Sequence, residues 1–204
     1  MTRRDGRDLD KFKRDIYIGT KIEEFWFNRW ISLCSKLNYI NVSSPRSNGV
    51  DNTGEYVEDG RKTSGADYMV DIEYHSLSIE NMPIEIKWAP TYGKLTLKIG
   101  DLRGYVRERA GILFIYPSEE TITLRQPRDY HKDPEILIQR HIEKIESCID
   151  VLRWSIMPPN QVENFLTDAE DHGKIEKIKY MGFKPGIILP TSEFKDWFIE
   201  ERWK

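Results

Sequence analysis

The stretch MPIEIKWAP, Met82 to Pro90, sets Glu85 and Lys87 two residues apart in an otherwise apolar run. Alternate residues of a strand point to the same face. Ile84, Ile86 and Trp88 therefore predict one core-facing row, and Glu85 and Lys87 emerge side by side on the other. Two readings follow: an outward-facing ion pair on a sheet edge, or the centre of a reactive site. The surrounding sequence bears on the choice.

Just upstream, DYMVDIEYHS alternates in the same way. Tyr68, Val70, Ile72 and Tyr74 share one face, and Asp67, Met69, Asp71 and Glu73 the other. A turn near His75 to Ser78 joins this strand to LSIENMPIEIKW, with an irregularity expected at Asn81 to Pro83. Before both, Ile22, Phe25, Trp26, Trp30, Leu33 and Leu37 recur at helical spacing, which predicts a helix from about Ile16 to Leu37. YINVSSP reads as a short strand. Leu95 to Arg109 reads as a helix, and GILFIYP, 111–117, as an interior strand bounded by Gly and Pro. TITLRQP is a candidate further strand. The predicted order is α-β-β-β-α-β, an α/β or α+β sandwich around a mixed sheet.

Beyond residue 130, the apolar positions Ile138, Ile142, Ile145, Ile149 and Leu152 predict an amphipathic helix from Pro134 to Trp154, stopped by Pro158-Pro159. GIILP is a candidate last strand and SEFKDWFIEERW a terminal helix. The expected organisation is a charged arm, 1–15, a core, 16–130, with a mobile loop at 44–66, and a C-terminal helical extension, 131–204.

The 204 residues suit one domain, with 39% hydrophobic residues and a net charge of −3. Charge is unevenly placed. Lys87 to Arg109 holds six basic residues against Asp101 and Glu108, whereas the loop 41–60 holds one Arg against four acids. Cys34 and Cys148 lack metal-ligand spacing, as do His75, His131, His141 and His172. No nucleophile elbow or phosphate-binding glycine loop is present. With no apolar h-region at the N-terminus and no apolar run long enough to cross a bilayer, the expectation is a cytoplasmic protein without membrane contact.

Cutting a phosphodiester requires a hard divalent cation to polarise an anionic phosphate and activate water. It also requires carboxylates on rigid elements to hold that cation, and a cationic group beside it to orient water and counter developing charge. Asp67 followed by Glu85-Ile86-Lys87 meets this need. Glu193-Phe194-Lys195 has the same spacing, but it follows Pro190 and has no acid-bearing partner strand.

IGTKIEEF, SGADYMVDIEY and MPIEIKWAP together resemble the PD-(D/E)XK nuclease superfamily, which includes restriction endonucleases, phage exonucleases and Holliday junction resolvases. The resemblance spans about Ile16 to Pro117 and implies a restriction endonuclease-like α-β-β-β-α-β core. It implies that Asp67 and Glu85 bind Mg²⁺, with Mn²⁺ as substitute, that Ile86 offers its backbone carbonyl, and that Lys87 serves the attacking water. Gly19 and Glu23 match the G-x-x-x-E of resolvase-like members, which implies Glu23 as a further metal or catalytic acid, directly or through water. Ala66 stands where members usually carry proline. Asp71, on the same strand face, is the alternative to Asp67. Helix geometry favours Glu23 over Glu24, because Glu23 is about 100° from Ile22 on the apolar stripe; its other reading is a helix-surface acid.

The expected activity is a metal-dependent DNA endonuclease, resolvase-like or of phage or virus type. Duplex or branched DNA is its partner, and a homodimer is expected for two-strand cleavage, with the C-terminal helices as candidate interface. Lys94, Lys98, Arg103 and Arg107, with Tyr92 and Arg109, are candidate contacts to the DNA backbone; the other reading is a solvated helix face. The alternative function is a non-catalytic DNA-binding or interaction module on the same fold.

Overall fold

The elements, in chain order, are α1 (Leu9–Cys34), β1 (Ile40–Ser47), β2 (Tyr68–Tyr74), β3 (Leu77–Trp88), β4 (Lys94–Lys98), α2 (Ile99–Glu108), β5 (Gly111–Pro117), α3 (Pro134–Ser147), β6 (Leu152–Met157), α4 (Pro159–Asp171), β7 (Glu176–Ile178), β8 (Lys184–Pro190) and β9 (Ile199–Arg202). The computed structural model describes residues 8–48, 65–74, 77–179, 183–191 and, for the backbone, 199–202.

Six strands form one mixed sheet in the order β1-β2-β3-β5-β6-β9. The β3–β5 pair is parallel, with Glu85 opposite Ile112 and Lys87 opposite Phe114. The other neighbours are antiparallel. A smaller antiparallel sheet, β4-β8-β7, lies apart from it.

The strand pattern explains why helices cover both faces. All seven residues of β5 are buried, as expected of a strand packed on two sides. Leu113 and Ile115 join Ile84, Ile86, Trp154 and Ile156 in a core shared with α1 and α3. Ile112, Phe114 and Tyr116 join Leu102, Tyr105, Val162, Phe165, Leu95 and Leu97 in a second core, which contains α2, α4 and the small sheet. The first core is anchored by Trp26, Trp30 and Trp154, all fully buried, with the Trp30 and Trp154 rings edge to face at 6.1 Å.

The irregularity expected at Asn81 to Pro83 is present. The β2–β3 register shifts between Val70 and Ile72, and Asn81 takes a left-handed backbone with φ 52. Pro83 pairs with Met69 just before β5 joins β3 at Ile84. Its missing N–H therefore costs no ladder bond on the β5 side.

Several expectations are corrected. The first helix begins at Leu9, so residues 8–15 are not a free arm. Asp8 caps the helix by accepting from the Asp10 and Lys11 amides at 2.9 and 3.3 Å, and Tyr130 donates to Asp15 at 3.1 Å. Leu95 to Lys98 is strand β4, because its partner β8 lies far away in sequence. TITLRQP forms only an isolated bridge, Thr123 to Thr91. Helix α3 ends at Ser147, and Leu152 to Met157 becomes β6, wedged between β5 and β9. Pro159 opens α4, the first-turn position proline tolerates. The C-terminal third is therefore not a helical extension: it supplies two strands to each sheet. Residues 199–202 are strand β9, not helix. Loop residues 49–64 and Glu193-Phe194-Lys195 lie outside the described residues.

Candidate active site

Tyr68 pairs with Ile84 across the antiparallel β2–β3 ladder. One step before Tyr68, just outside β2, Asp67 comes against Glu85 and shares a side-chain hydrogen bond with it. The Ile86 N–H donates to Asp67 Oδ2 at 3.4 Å. The N–H and C=O of one strand residue face the same neighbour, so the Ile86 carbonyl also faces the Asp67 side. The segment before Asp67 is fastened from two directions. Asn48 donates its amide N–H to the Asp67 carbonyl at 3.0 Å and its side-chain amide to the Ala66 carbonyl at 3.1 Å. Glu108, at the end of α2, accepts the Ala66 N–H at 3.1 Å.

Glu85 is 5% exposed and forms an ion pair with Lys87. The Lys87 ammonium also lies 5.9 Å from the centre of the Tyr105 ring, a cation–π distance. The Tyr105 hydroxyl hydrogen-bonds to Glu85, and burial raises its pKa, which keeps the phenol protonated at neutral pH. The same-face reading of Glu85 and Lys87 holds, and the exposed sheet-edge reading of the pair does not: Glu85 lies inside the structure.

Burial, followed by the charges of Glu85 and Glu23, pushes the Asp67 carboxyl from 3.8 up to about 9 against the opposing pull of Lys87. Burial works against the Lys87 charge, but Glu85, Tyr105, Asp67 and Glu23 outweigh it and hold the lysine well above its usual value. Three acids and one lysine thus share one electrostatic site. Without a cation beyond Lys87, burial and the neighbouring acids keep Asp67 protonated at neutral pH.

Glu23 reaches this site from α1. It is half-buried, one helical turn before Phe27. Phe27 stacks on Tyr68 with ring centres 3.9 Å apart, which brings that turn of α1 against the start of β2. Glu24 is exposed and pairs with Lys21 at 2.8 Å, so the two neighbouring acids separate as the helix geometry predicts.

Asp71 is not part of this cluster. It accepts the Asn81 N–H at 2.7 Å. That bond, a Ser44 hydroxyl and Arg46 hold its carboxyl below the usual range. Its role is to close the β-bulge, four residues along the strand from Asp67. Glu73 accepts from Asn41 at 3.3 Å.

The candidate DNA-contact residues disperse. Lys98 lines a cleft of about 150 Å³ together with Lys87, Thr96, Leu97, Asp101, Leu102 and Tyr105. It pairs with Asp101 at 3.5 Å. Lys94 and Arg107 are exposed. Arg103 is turned toward α4, where it pairs with Glu170 at 2.7 Å.

Tyr105, Glu108 and Asn48 were absent from the expected site. Only Tyr105 carried a usable signal: Ile99, Leu102 and Tyr105 recur at three-residue steps, a stripe that must face the sheet. Among the described residues, no group of three or more His, Cys, Asp or Glu is arranged to hold a metal ion, and Glu85 is turned onto Lys87. Among their helices, none is long and apolar enough to cross a membrane. No protein-family model, curated protein or solved structure matches this chain.

Proposed function

We propose that this chain is a Mg²⁺-dependent DNA endonuclease with a restriction endonuclease-like core, acting as an intracellular homodimer on duplex or branched DNA. The observation that carries the reading is the convergence of Asp67, Glu85 and Lys87 across one strand pair. There the Asp67 carboxyl is pushed up to about 9 by burial and by Glu85 and Glu23. A buried cluster of acids that keeps one carboxyl protonated until a cation replaces the proton fits a divalent cation. Asp67, Glu85 and the Ile86 carbonyl would hold it, with Glu23 through water. When bound, Mg²⁺ supplies Lewis acidity toward a phosphate and makes water a better nucleophile.

The chain's own residues then have separable roles. Lys87 keeps its proton, so it serves as a hydrogen-bond donor and a positive charge toward the attacked phosphate rather than as a general base. Tyr105 keeps Glu85 oriented through its hydroxyl. Glu108 and Asn48 fix the backbone that delivers Asp67. Lys98 extends positive charge along the cleft away from Lys87.

A second reading, a non-catalytic DNA-binding or interaction module, is favoured by one observation: the Glu85 carboxylate is already engaged by the Lys87 ammonium. Incubation with supercoiled plasmid, linear duplex, single strands and a four-way junction, each in Mg²⁺, Mn²⁺ or chelator, separates the two. The nuclease reading expects cutting that requires the metal and is lost in Lys87→Ala. Cutting that persists in chelator, or that Lys87→Ala leaves intact, overturns it. Binding with no cutting of any substrate supports the second reading.

A further inference from the structure

The β7–β8 hairpin carries two features that the fold does not need. Phe183 is 63% exposed, and its backbone is left-handed, with φ 59. Its N–H donates to the Ile178 carbonyl at 3.0 Å, so the main chain is tied down while the ring stands in solvent. Fold stability alone would favour glycine at such a φ and a polar side chain at such exposure. Strain combined with an exposed aromatic points to use at the surface.

The hairpin is also basic and continuous with the cleft. Residues 174–184 contain four lysines and one glutamate. Lys177, Lys179 and Lys184 are exposed. In the small sheet, Lys98 pairs with Gly186 and Thr96 with Ile188. Lys98 and Thr96 both line the cleft beside Lys87. Lys184, two residues from Gly186, is on that same face, about 7 Å further out. A Cβ at Gly186 would meet the Leu97 carbonyl at 2.8 Å and Ile178 Cγ1 at 2.9 Å, so the Ile178 side chain, paired across from Lys184, packs over Gly186 and is the apolar group between Lys98 and Lys184. The Lys98–Asp101 contact is an exposed pair that a phosphate can replace at small cost.

We propose that the β7–β8 hairpin is a contact surface for single-stranded DNA, in which Lys98 and Lys184 take backbone phosphates leading out of the Lys87 cleft and Phe183 stacks on an unpaired base. Base–aromatic stacking tolerates any sequence, and lysines along a groove track the backbone. The inference deepens the nuclease reading, because the strand would run from the same cleft.

The test uses the full chain in chelator, titrated into a single-stranded oligonucleotide containing 2-aminopurine, over a range of salt concentrations. The parent should quench the 2-aminopurine fluorescence. Phe183→Ala and Phe183→Gly should bind roughly tenfold more weakly and lose the quenching. Phe183→Gly relieves the left-handed backbone, so an unchanged or raised Tm separates lost stacking from misfolding. Lys184→Ala should reduce the slope of log K against log salt by about 0.7. Unchanged affinity and quenching in both Phe183 variants overturn the inference. So does lost self-association at unchanged DNA affinity, which would assign Phe183 to a dimer contact. If the parent cuts nothing while the Phe183 variants still bind more weakly, the hairpin stands and the nuclease reading falls. If Mg²⁺-dependent cutting is lost in Lys87→Ala while the Phe183 variants bind as the parent does, only the hairpin inference falls.

Discussion

Asp71 accepts the Asn81 backbone N–H at 2.7 Å, whereas Asp67, four residues earlier and just before β2, lies against Glu85 and accepts from Ile86. Two acids of the same alternation thus have different tasks. Asp71→Asn should lower Tm through a weakened bulge and leave cutting unchanged. Asp67→Asn should abolish cutting while leaving the fold intact. Cleavage assays and melting curves on the pair check this, and the opposite pattern would make Asp71 the functional acid.

The raised Asp67 carboxyl makes a prediction about ions that does not depend on turnover. In chelator, the folded protein holds a proton on Asp67 that the unfolded chain releases above about pH 4. Stability from this group is therefore present at low pH and is lost as pH rises toward about 9. Mg²⁺ should raise the parent's Tm more at pH 8.5 than at pH 6, because binding requires the ionised carboxylate. Asp67→Asn should show a flatter pH profile in chelator and little Mg²⁺ response. A Mg²⁺ shift of equal size in parent and variant would remove Asp67 from the ligand set.

Lys87 neutralises a carboxylate that is 5% exposed. Lys87→Met keeps the stem but leaves Glu85 without its cation. A loss of about 1–3 kcal/mol is expected in chelator, below the full cost of breaking a buried pair because the Lys87 side chain is 31% exposed. The double variant Lys87→Met/Glu85→Gln should recover most of it. Urea titration of the four proteins as a double-mutant cycle measures the coupling, and near-additive losses would refute the pairing.

Trp154 ties β6 to α1 through Trp30, at 6.1 Å. Trp154→Ala should cost about 3–5 kcal/mol and lower the stability of the whole chain in one transition. Two separate transitions, with the N-terminal part unaffected, would mean that the C-terminal third is only docked onto the core.

His141 is 5% exposed on α3, and burial, reinforced by Lys144, lowers its pKa to about 4. The unfolded chain therefore takes up a proton that the native state refuses. Stability from this group is complete above about pH 6.5 and declines as pH falls to about 4. His141→Phe should show a shallower decline over that interval. Identical profiles for parent and variant would show that other groups govern the acid limb.

The local periodicities carried much of the fold. Alternation in β2 and β3 and the bounded apolar run of β5 depend only on which face each residue must bury. For the same reason, the shared face of Glu85 and Lys87 and the choice of Glu23 over Glu24 were legible before any coordinates. Two of the errors share one cause. Leu95 to Lys98 and Leu152 to Met157 fit a helical period about as well as a strand, and their strand partners, β8 and β9, lie far along the chain.

The sequence by itself determined the strand pair that bears Asp67, Glu85 and Lys87, because alternation is a property of the backbone and needs no distant partner. Only the tertiary structure decided which acids share a site. It tied Asp71 to the bulge at Asn81, brought Glu23 to Asp67 through the stacking of Phe27 on Tyr68, and set Tyr105 against Lys87. It also joined the β7–β8 hairpin to the cleft through β4. Those are contacts between residues remote in sequence, and packing of both sheet faces, rather than any local period, selects them.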